Sequence, residues 1–199
     1  MSDTDDWYAS PVTNALFYAP MTFTLLFGLA GAALLRVRAD LHYAAYVGAA
    51  MLYMAVLDGT PFELRWPELP RLSYVASGAA LASASIAFAR VFLALPATAP
   101  RLDRFLVGAL AAGIAALAMT SLAPDALKPA SLWVAATISA LCVIAARAAL
   151  RAGRPAVRFY AVGSAVTFVA ALVAALAHSV TLPMGASESL LILKAGFVF

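Results

Sequence analysis

The sequence predicts an all-α fold: a polytopic membrane helix bundle with six complete transmembrane helices, the start of a seventh, and its N-terminus outside. Composition is the first observation behind it. Of 199 residues, 64% are hydrophobic and 12% charged, with a mean hydropathy of +0.92. A soluble domain carries about 25% charged residues, and half that charge cannot coat a globule of this size. The second observation is that the apolar residues gather in uncharged runs of about 20, the length a helix needs to cross a hydrocarbon core about 30 Å thick. The third is that the cations between runs concentrate in alternate connections. The same figures exclude a disordered chain, which needs low hydrophobicity. A single cysteine, Cys142, excludes a disulfide scaffold.

The runs follow in order. Residues 1–13 form a short acidic extracytoplasmic tail, and residues 14–199 form a single seven-helix transmembrane domain. The first run is 14–35 and the second 41–57. The third is 72–89, continuing past Arg90 to Leu95. The fourth is 105–123, the fifth 130–146, and the sixth 159–182, with His178 near its end. Residues 185–199 begin the seventh. The runs are apolar all round and rich in alanine, unlike the alternating strands of a barrel. Alanine suits a helix interior and lets neighbouring helices approach closely. Turn chemistry separates them: Asp58-Gly59-Thr60-Pro61 with Pro67 and Pro70, then Pro96 and Pro100, Pro124 and Pro129, Gly153-Arg154-Pro155, and Pro183 with Gly185. The longest connection, residues 58–71, is too short for an inserted soluble domain.

Charge sets the orientation. One set of connections holds nine arginines: Arg36, Arg38, Arg90, Arg101, Arg104, Arg147, Arg151, Arg154 and Arg158. The opposite set holds Arg65, Arg71 and Lys128. Eight of the ten acidic residues fall on the arginine-poor side or its boundary. By the positive-inside rule the N-terminus lies outside, and a completed seventh helix ends in the cytoplasm. The acidic start Met1-Ser2-Asp3-Thr4-Asp5-Asp6 lacks the basic region and cleavage site of a signal peptide. Trp7, Trp66 and Trp133 then fall near the outer interface, where amphipathic rings settle.

Several stretches resemble a known family. Leu41-His42-Tyr43-Ala44-Ala45-Tyr46 is followed by the Gly59 to Pro70 loop with its Trp66-Pro67. Then come Phe88-Ala89-Arg90-Val91-Phe92-Leu93 and Pro100-Arg101-Leu102-Asp103-Arg104. The series is similar to the bacterial seven-transmembrane receptors with diverse intracellular signalling modules. Arg154-Pro155-Ala156 and Gly196 add to the likeness. The resemblance covers nearly the whole chain. It implies an inner-membrane sensor whose helices pass a signal to a cytoplasmic kinase, cyclase or phosphatase module, and it implies a homodimer. Two departures stand out: no large extracellular sensory domain precedes the first helix, and no output module lies within the 199 residues. The chain itself is therefore expected not to be an enzyme.

Lys194 is the most unusual residue. An ionised lysine at mid-bilayer costs about 2.5–3.5 kcal/mol on insertion scales, and such residues mark function or an internal ion pair. It lies about 13 Å along its helix from Gly185. Glu188 is six residues away on a different face, so Asp58 and His178 are the candidate partners from other helices. Lys194-Ala195-Gly196-Phe197 also resembles the Lys-x-Gly-Phe of helix seven in microbial rhodopsins. That resemblance implies retinal on Lys194, although residues 72–89 hold no counter-ion. The outer loop with Asp58 and Trp66 reads as an interfacial cap or as a lid over a pocket that Tyr53, Tyr74, His178 and Glu188 would also line. Two separated histidines, His42 and His178, give no metal spacing, and no catalytic constellation is visible.

The reading that follows is a bacterial inner-membrane sensor domain. It relays an extracytoplasmic or intramembrane stimulus to a cytoplasmic signalling module. Its expected partners are the lipid bilayer, a small-molecule ligand, that module and a second copy of the chain. No nucleic acid is expected, because the positive-inside effect already accounts for the arginines. No cofactor is expected on this reading. Two alternatives remain: an accessory membrane subunit of a larger complex, and a retinal-type photoreceptor on Lys194.

Overall fold

The computed structural model describes residues 11–58, 69–153, 157–179 and 186–198. Its elements are α1 Pro11–Leu35, α2 Arg38–Leu57, α3 Leu69–Phe92, α4 Leu95–Thr98, α5 Pro100–Thr120, α6 Pro124–Arg151, α7 Val157–Ser179 and α8 Ala186–Val198. Among the described residues there is no strand. Six helices (α1, α2, α3, α5, α6 and α7) are long and apolar enough to cross a membrane, as the uncharged runs require. At about 1.5 Å per residue, the 13 residues of α8 rise about 20 Å, less than a full crossing. The protein is a multi-pass membrane bundle.

Helix ends show where the sequence pattern and the backbone differ. The third run was expected to continue to Leu95, but α3 ends at Phe92. Ala94 adopts a left-handed backbone with φ +50°, and the one-turn α4 restarts behind it. Pro96 and Pro100 sit in the first turns of α4 and α5, where a missing N–H breaks no helical bond. The Pro100-Arg101-Leu102-Asp103-Arg104 stretch is therefore the opening of a helix. Likewise α6 begins at Pro124 and carries Pro129 inside it, so Lys128 is helical. Pro129 lacks one intrahelical donor in the second turn, where the sequence suggested a connection.

Each helix lies against its neighbours in a closed ring. α2 packs on α1 and α3, α3 on α5 and α6, α6 on α5 and α7, and α7 on α8. α8 returns to touch α1 and α2. Small residues set the close crossings. A Cβ on Gly28 would stand 3.3 Å from the Ala44 Cβ, and one on Gly31 would stand 2.6 Å from the Asp40 carboxylate. The buried face of α7 is Ala170, Ala171, Ala174 and Ala175. The core has two halves. One centres on Tyr53, Met54, Leu132 and Leu193, the other on Ile86, Leu93, Leu106 and Cys142. Outward-facing Phe23, Phe27, Leu34, Leu122 and Phe159 are exposed. A hydrocarbon solvent accepts such a surface and water does not.

At the arginine-bearing end one ion pair closes the α3–α4–α5 corner. Arg90 donates through Nε to Asp103 Oδ1 at 2.5 Å and through Nη2 to Oδ2 at 3.0 Å. Both residues belong to stretches quoted for the family resemblance, and their spacing of 13 gives the fork-to-carboxylate geometry once α4 folds the chain back. Thr98 supports the corner by donating to the Ala94 carbonyl at 3.0 Å. Arg90 is partly exposed, so solvent screening limits the strength of the pair. A double-mutant cycle with Arg90→Ala and Asp103→Ala, read by unfolding in micelles, should give a coupling of about 1 kcal/mol. A coupling indistinguishable from zero would show that the corner holds without the pair.

Candidate functional site

The site is built where α1, α2 and α8 meet at the arginine-poor end. On α1, Asn14, Phe17 and Tyr18 stand at i, i+3 and i+4, which places them on one face of the helix. Asp58 is the residue that ends α2. Its own N–H still donates to the Met54 carbonyl at 2.9 Å, so its side chain is held against the last turn. α8 begins at the same end with Ala186. Helical side chains tilt toward the N-terminus of their helix, so the long Lys194 side chain is aimed back toward that end.

The four groups converge. Lys194 Nζ lies 2.9 Å from Asp58 Oδ2 and donates to Asn14 Oδ1 at 3.0 Å. Tyr18 donates its hydroxyl to the same Asp58 Oδ2 at 3.0 Å. The ammonium also faces the Phe17 and Tyr18 rings at 5.9 and 6.0 Å from their centroids, a cation–π distance. Those two rings meet edge to face at 4.8 Å, which fixes both. The ion pair is buried: the Lys194 and Asp58 side chains are 7% and 15% exposed. Asp58 also stands at the negative end of the α2 dipole, where a carboxylate is disfavoured without a cation beside it. Lys194 supplies that cation, and Asp58 neutralises a lysine that a membrane would otherwise reject.

A second attachment holds α8 to α7. The Thr167 hydroxyl lies 2.8 Å from the Gly196 carbonyl oxygen and 2.9 Å from the Gly163 carbonyl oxygen. It has one hydrogen and two acceptors, one on each helix. Glycine is required at 196 because an added Cβ would overlap the Ala170 Cβ. Leu193 and Phe197 complete the buried face of α8. One side of α8 is thus tied by charge to α1 and α2, and the other by close contact and a shared hydroxyl to α7.

The structure joins two of the sequence candidates, Lys194 and Asp58, and distributes the others. Tyr53 is fully buried and donates to Ser131 Oγ at 3.0 Å, linking α2 to α6. Tyr74 packs beside the core around Tyr53. His178 engages the Ala174 carbonyl through Nδ1 at 2.9 Å, one turn back on its own helix. Glu188 is exposed in the first turn of α8. Trp66 and most of its loop lie outside the described residues. Sequence reasoning did not select Asn14 and Tyr18. A signal existed for Asn14: it is the sole asparagine in a chain with no glutamine, placed in an apolar run. Tyr18 carried none, because tyrosines at helix ends are common in membrane proteins.

Removing one member of a buried pair leaves the other uncompensated, at a cost of about 3–5 kcal/mol. Lys194→Met and Asp58→Asn should each lower the unfolding midpoint of the solubilised protein. The Lys194→Met/Asp58→Leu double variant should recover most of the loss. A double variant as unstable as the sum of the singles would contradict the pairing.

The chain was also compared with known proteins. Residues 12–199 match the family described as 7TM diverse intracellular signalling. No curated protein and no solved structure matches the chain. The matched segment contains every residue of the ion-pair site and all of the described bundle except Pro11, so the likeness read from the Arg90 and Asp103 stretches extends across the fold. The chain belongs to the 7TM diverse intracellular signalling family, as a multi-pass membrane domain of the sensor type.

Proposed function

We propose that this domain is the sensing and transmitting unit of a receptor in a bacterial inner membrane. Its arginine-bearing end faces the cytoplasm. A stimulus acting from outside or within the bilayer reaches α8, and α8 passes the change to a cytoplasmic signalling module outside these 199 residues. The proposal includes a homodimer and a small-molecule ligand.

The observation that carries the reading is the buried network of Lys194, Asp58, Asn14 and Tyr18. Permanent packing between α8 and its neighbours is served as well or better by apolar side chains. A charge pair split between two helices does something else: it makes the seat of α8 depend on the state of one carboxylate. A stimulus that weakens the pair lowers the stability of one packing and shifts the population toward another. On the α7 side, the Thr167 hydroxyl has alternative acceptors on α7 and α8, so a small shift of α8 exchanges one hydrogen bond for another. The orientation rests on the nine-to-three distribution of cations.

The retinal reading draws one support from the same contact, since Asp58 supplies a carboxylate beside Lys194 that α3 does not. The ammonium is already engaged by Asp58, Asn14 and two rings, which favours the ion-pair reading.

Two experiments test the proposal. Spin labels at Arg38 and Val198, in lipid nanodiscs, report the distance between the ends of α2 and α8. Asp58→Asn should shift or broaden that distribution, and Lys194→Met should do the same. Distributions identical to the parent protein would contradict a transmitting role for the pair. For orientation, a cysteine at Gly153 in a Cys142→Ala background should react with a membrane-impermeant maleimide only after the cells are opened. Labelling of intact cells from the periplasmic side would reverse the assigned topology.

A further inference from the structure

A cavity of about 320 Å³ lies in the other half of the bundle, away from the ion pair. It falls between α2, α3, α6 and α7, and Phe197 of α8 forms part of its wall. None of the candidate ligand-binding or sensing residues lines it, although Tyr43, Tyr46, Phe88 and Phe92, from the stretches that carry the family resemblance, do. Its aromatic wall is continuous. The Phe88 ring lies 5.2 Å from that of Tyr43, 6.2 Å from Tyr46, 5.3 Å from Phe92 and 5.6 Å from Tyr160. Serines 85, 139 and 164 add hydroxyls to the lining. Among the described residues that line it there is no Asp, Glu, Lys, Arg or His. Phe159 also lines it and is 87% exposed, so the space is reached from the lipid phase.

We propose that this cavity binds an uncharged, planar, lipid-soluble molecule bearing hydrogen-bond acceptors, of the quinone class. The volume falls in the range of ligand pockets, about 300–1,000 Å³, and exceeds the voids a close-packed interior leaves. With no opposite charge in the lining, an ionised ligand would lose its hydration without compensation. Flat rings stack on aromatic walls. Ser85 gives its one hydrogen to the Leu81 carbonyl at 2.7 Å, and the tyrosine hydroxyls in the lining supply the donors for carbonyl oxygens, which a saturated acyl chain could not use. A lipid-facing mouth suits a ring carried on an apolar tail.

The site deepens the proposed function and rests on it for its consequence. Thr167 and Phe197 both line the cavity, and Thr167 also reaches the Gly196 carbonyl. An occupant there touches the α7–α8 attachment directly. Occupancy would bias the seat of α8 from one half of the bundle, and the ion pair would hold it from the other.

The test uses a photoreactive azidoquinone with a decyl tail, added to the protein in phosphatidylcholine nanodiscs and mapped by mass spectrometry. Labelling should fall on the segments around Tyr43–Tyr46, Phe88–Phe92 and Tyr160–Ser164, and decylubiquinone should compete. Gly163→Leu fills the cavity and should abolish specific labelling. Tyr46→Phe and Tyr160→Phe keep the shape but remove a donor. Each should weaken decylubiquinone about threefold to tenfold, the effect of one lost hydrogen bond. Dodecylbenzene, which has a ring and tail but no acceptor, should compete poorly and respond to neither phenylalanine variant. Labelling spread over the lipid-facing helices and unchanged by Gly163→Leu would overturn the site. So would equal competition by dodecylbenzene, which would make the space an acyl-chain crevice. Binding is read independently of α8 movement. Bound quinone with no change in the Arg38–Val198 distance would count against the transmitting role while leaving the site intact.

Discussion

A lysine ammonium inside a membrane bundle must find an anion, or the helix that carries it has no stable seat there. In this protein the anion is Asp58, the residue that caps the C-terminal end of α2. The pairing fixes more than two side chains. It sets how far α8 is inserted, because the lysine side chain reaches only a few ångströms above its own Cα. It sets which face of α8 meets α1 and α2, and so which face meets α7. It also brings Asn14 and Tyr18 of α1 into one network, so three helices share a single buried charge. Other contacts of α8 are short-range, and they fit only when that register is kept: Gly196 against Ala170, the Gly196 carbonyl on the Thr167 hydroxyl, and Leu193 and Phe197 in the core.

The bundle divides into two regions with different physics. At the arginine-poor end, polar side chains are matched: Lys194 with Asp58 and Tyr53 with Ser131 in the interior, and at the surface Trp133 donating through Nε1 to Ser179 Oγ at 2.8 Å. At the arginine-bearing end, Arg90 and Asp103 close the corner, while the interior holds aromatic rings around open space. Matched polar groups specify one arrangement, because each misplaced partner leaves a desolvated group unpaired. Rings around a cavity specify much less. That contrast suits a domain that senses, with one end that holds register and another that can repack.

The class of fold was legible in the sequence, because bilayer thickness and the need to satisfy every backbone group leave few solutions for runs of this length. Lys194 was legible for the same reason, and Asp58 could be named as a partner beside His178. Choosing between them required the tertiary register, which apolar runs do not encode: the few polar residues of α1, α2 and α8 form no continuous stripe that marks their facing sides. His178 instead turned to its own helix. Asn14 was visible as an isolated carboxamide but had no visible destination. Phe92 as the end of α3 was hidden because the left-handed residue is Ala94, where a glycine would have signalled the turn. The aromatic cavity was hidden because its walls come from five separated helices.

The most direct measurement of the central claim is the distance between the Lys194 ammonium and the Asp58 carboxyl group in lipid. The chain has two lysines, Lys128 and Lys194, so nitrogen-15 labelling of lysine yields two ammonium signals in solid-state nuclear magnetic resonance. With aspartate carboxyl carbons labelled, one of the two should dephase rapidly, at a separation matching the 2.9 Å contact to Oδ2, and should lose that behaviour in Asp58→Asn. If neither ammonium dephases, or if the coupling survives Asp58→Asn, α8 is not held by this pair and the account fails.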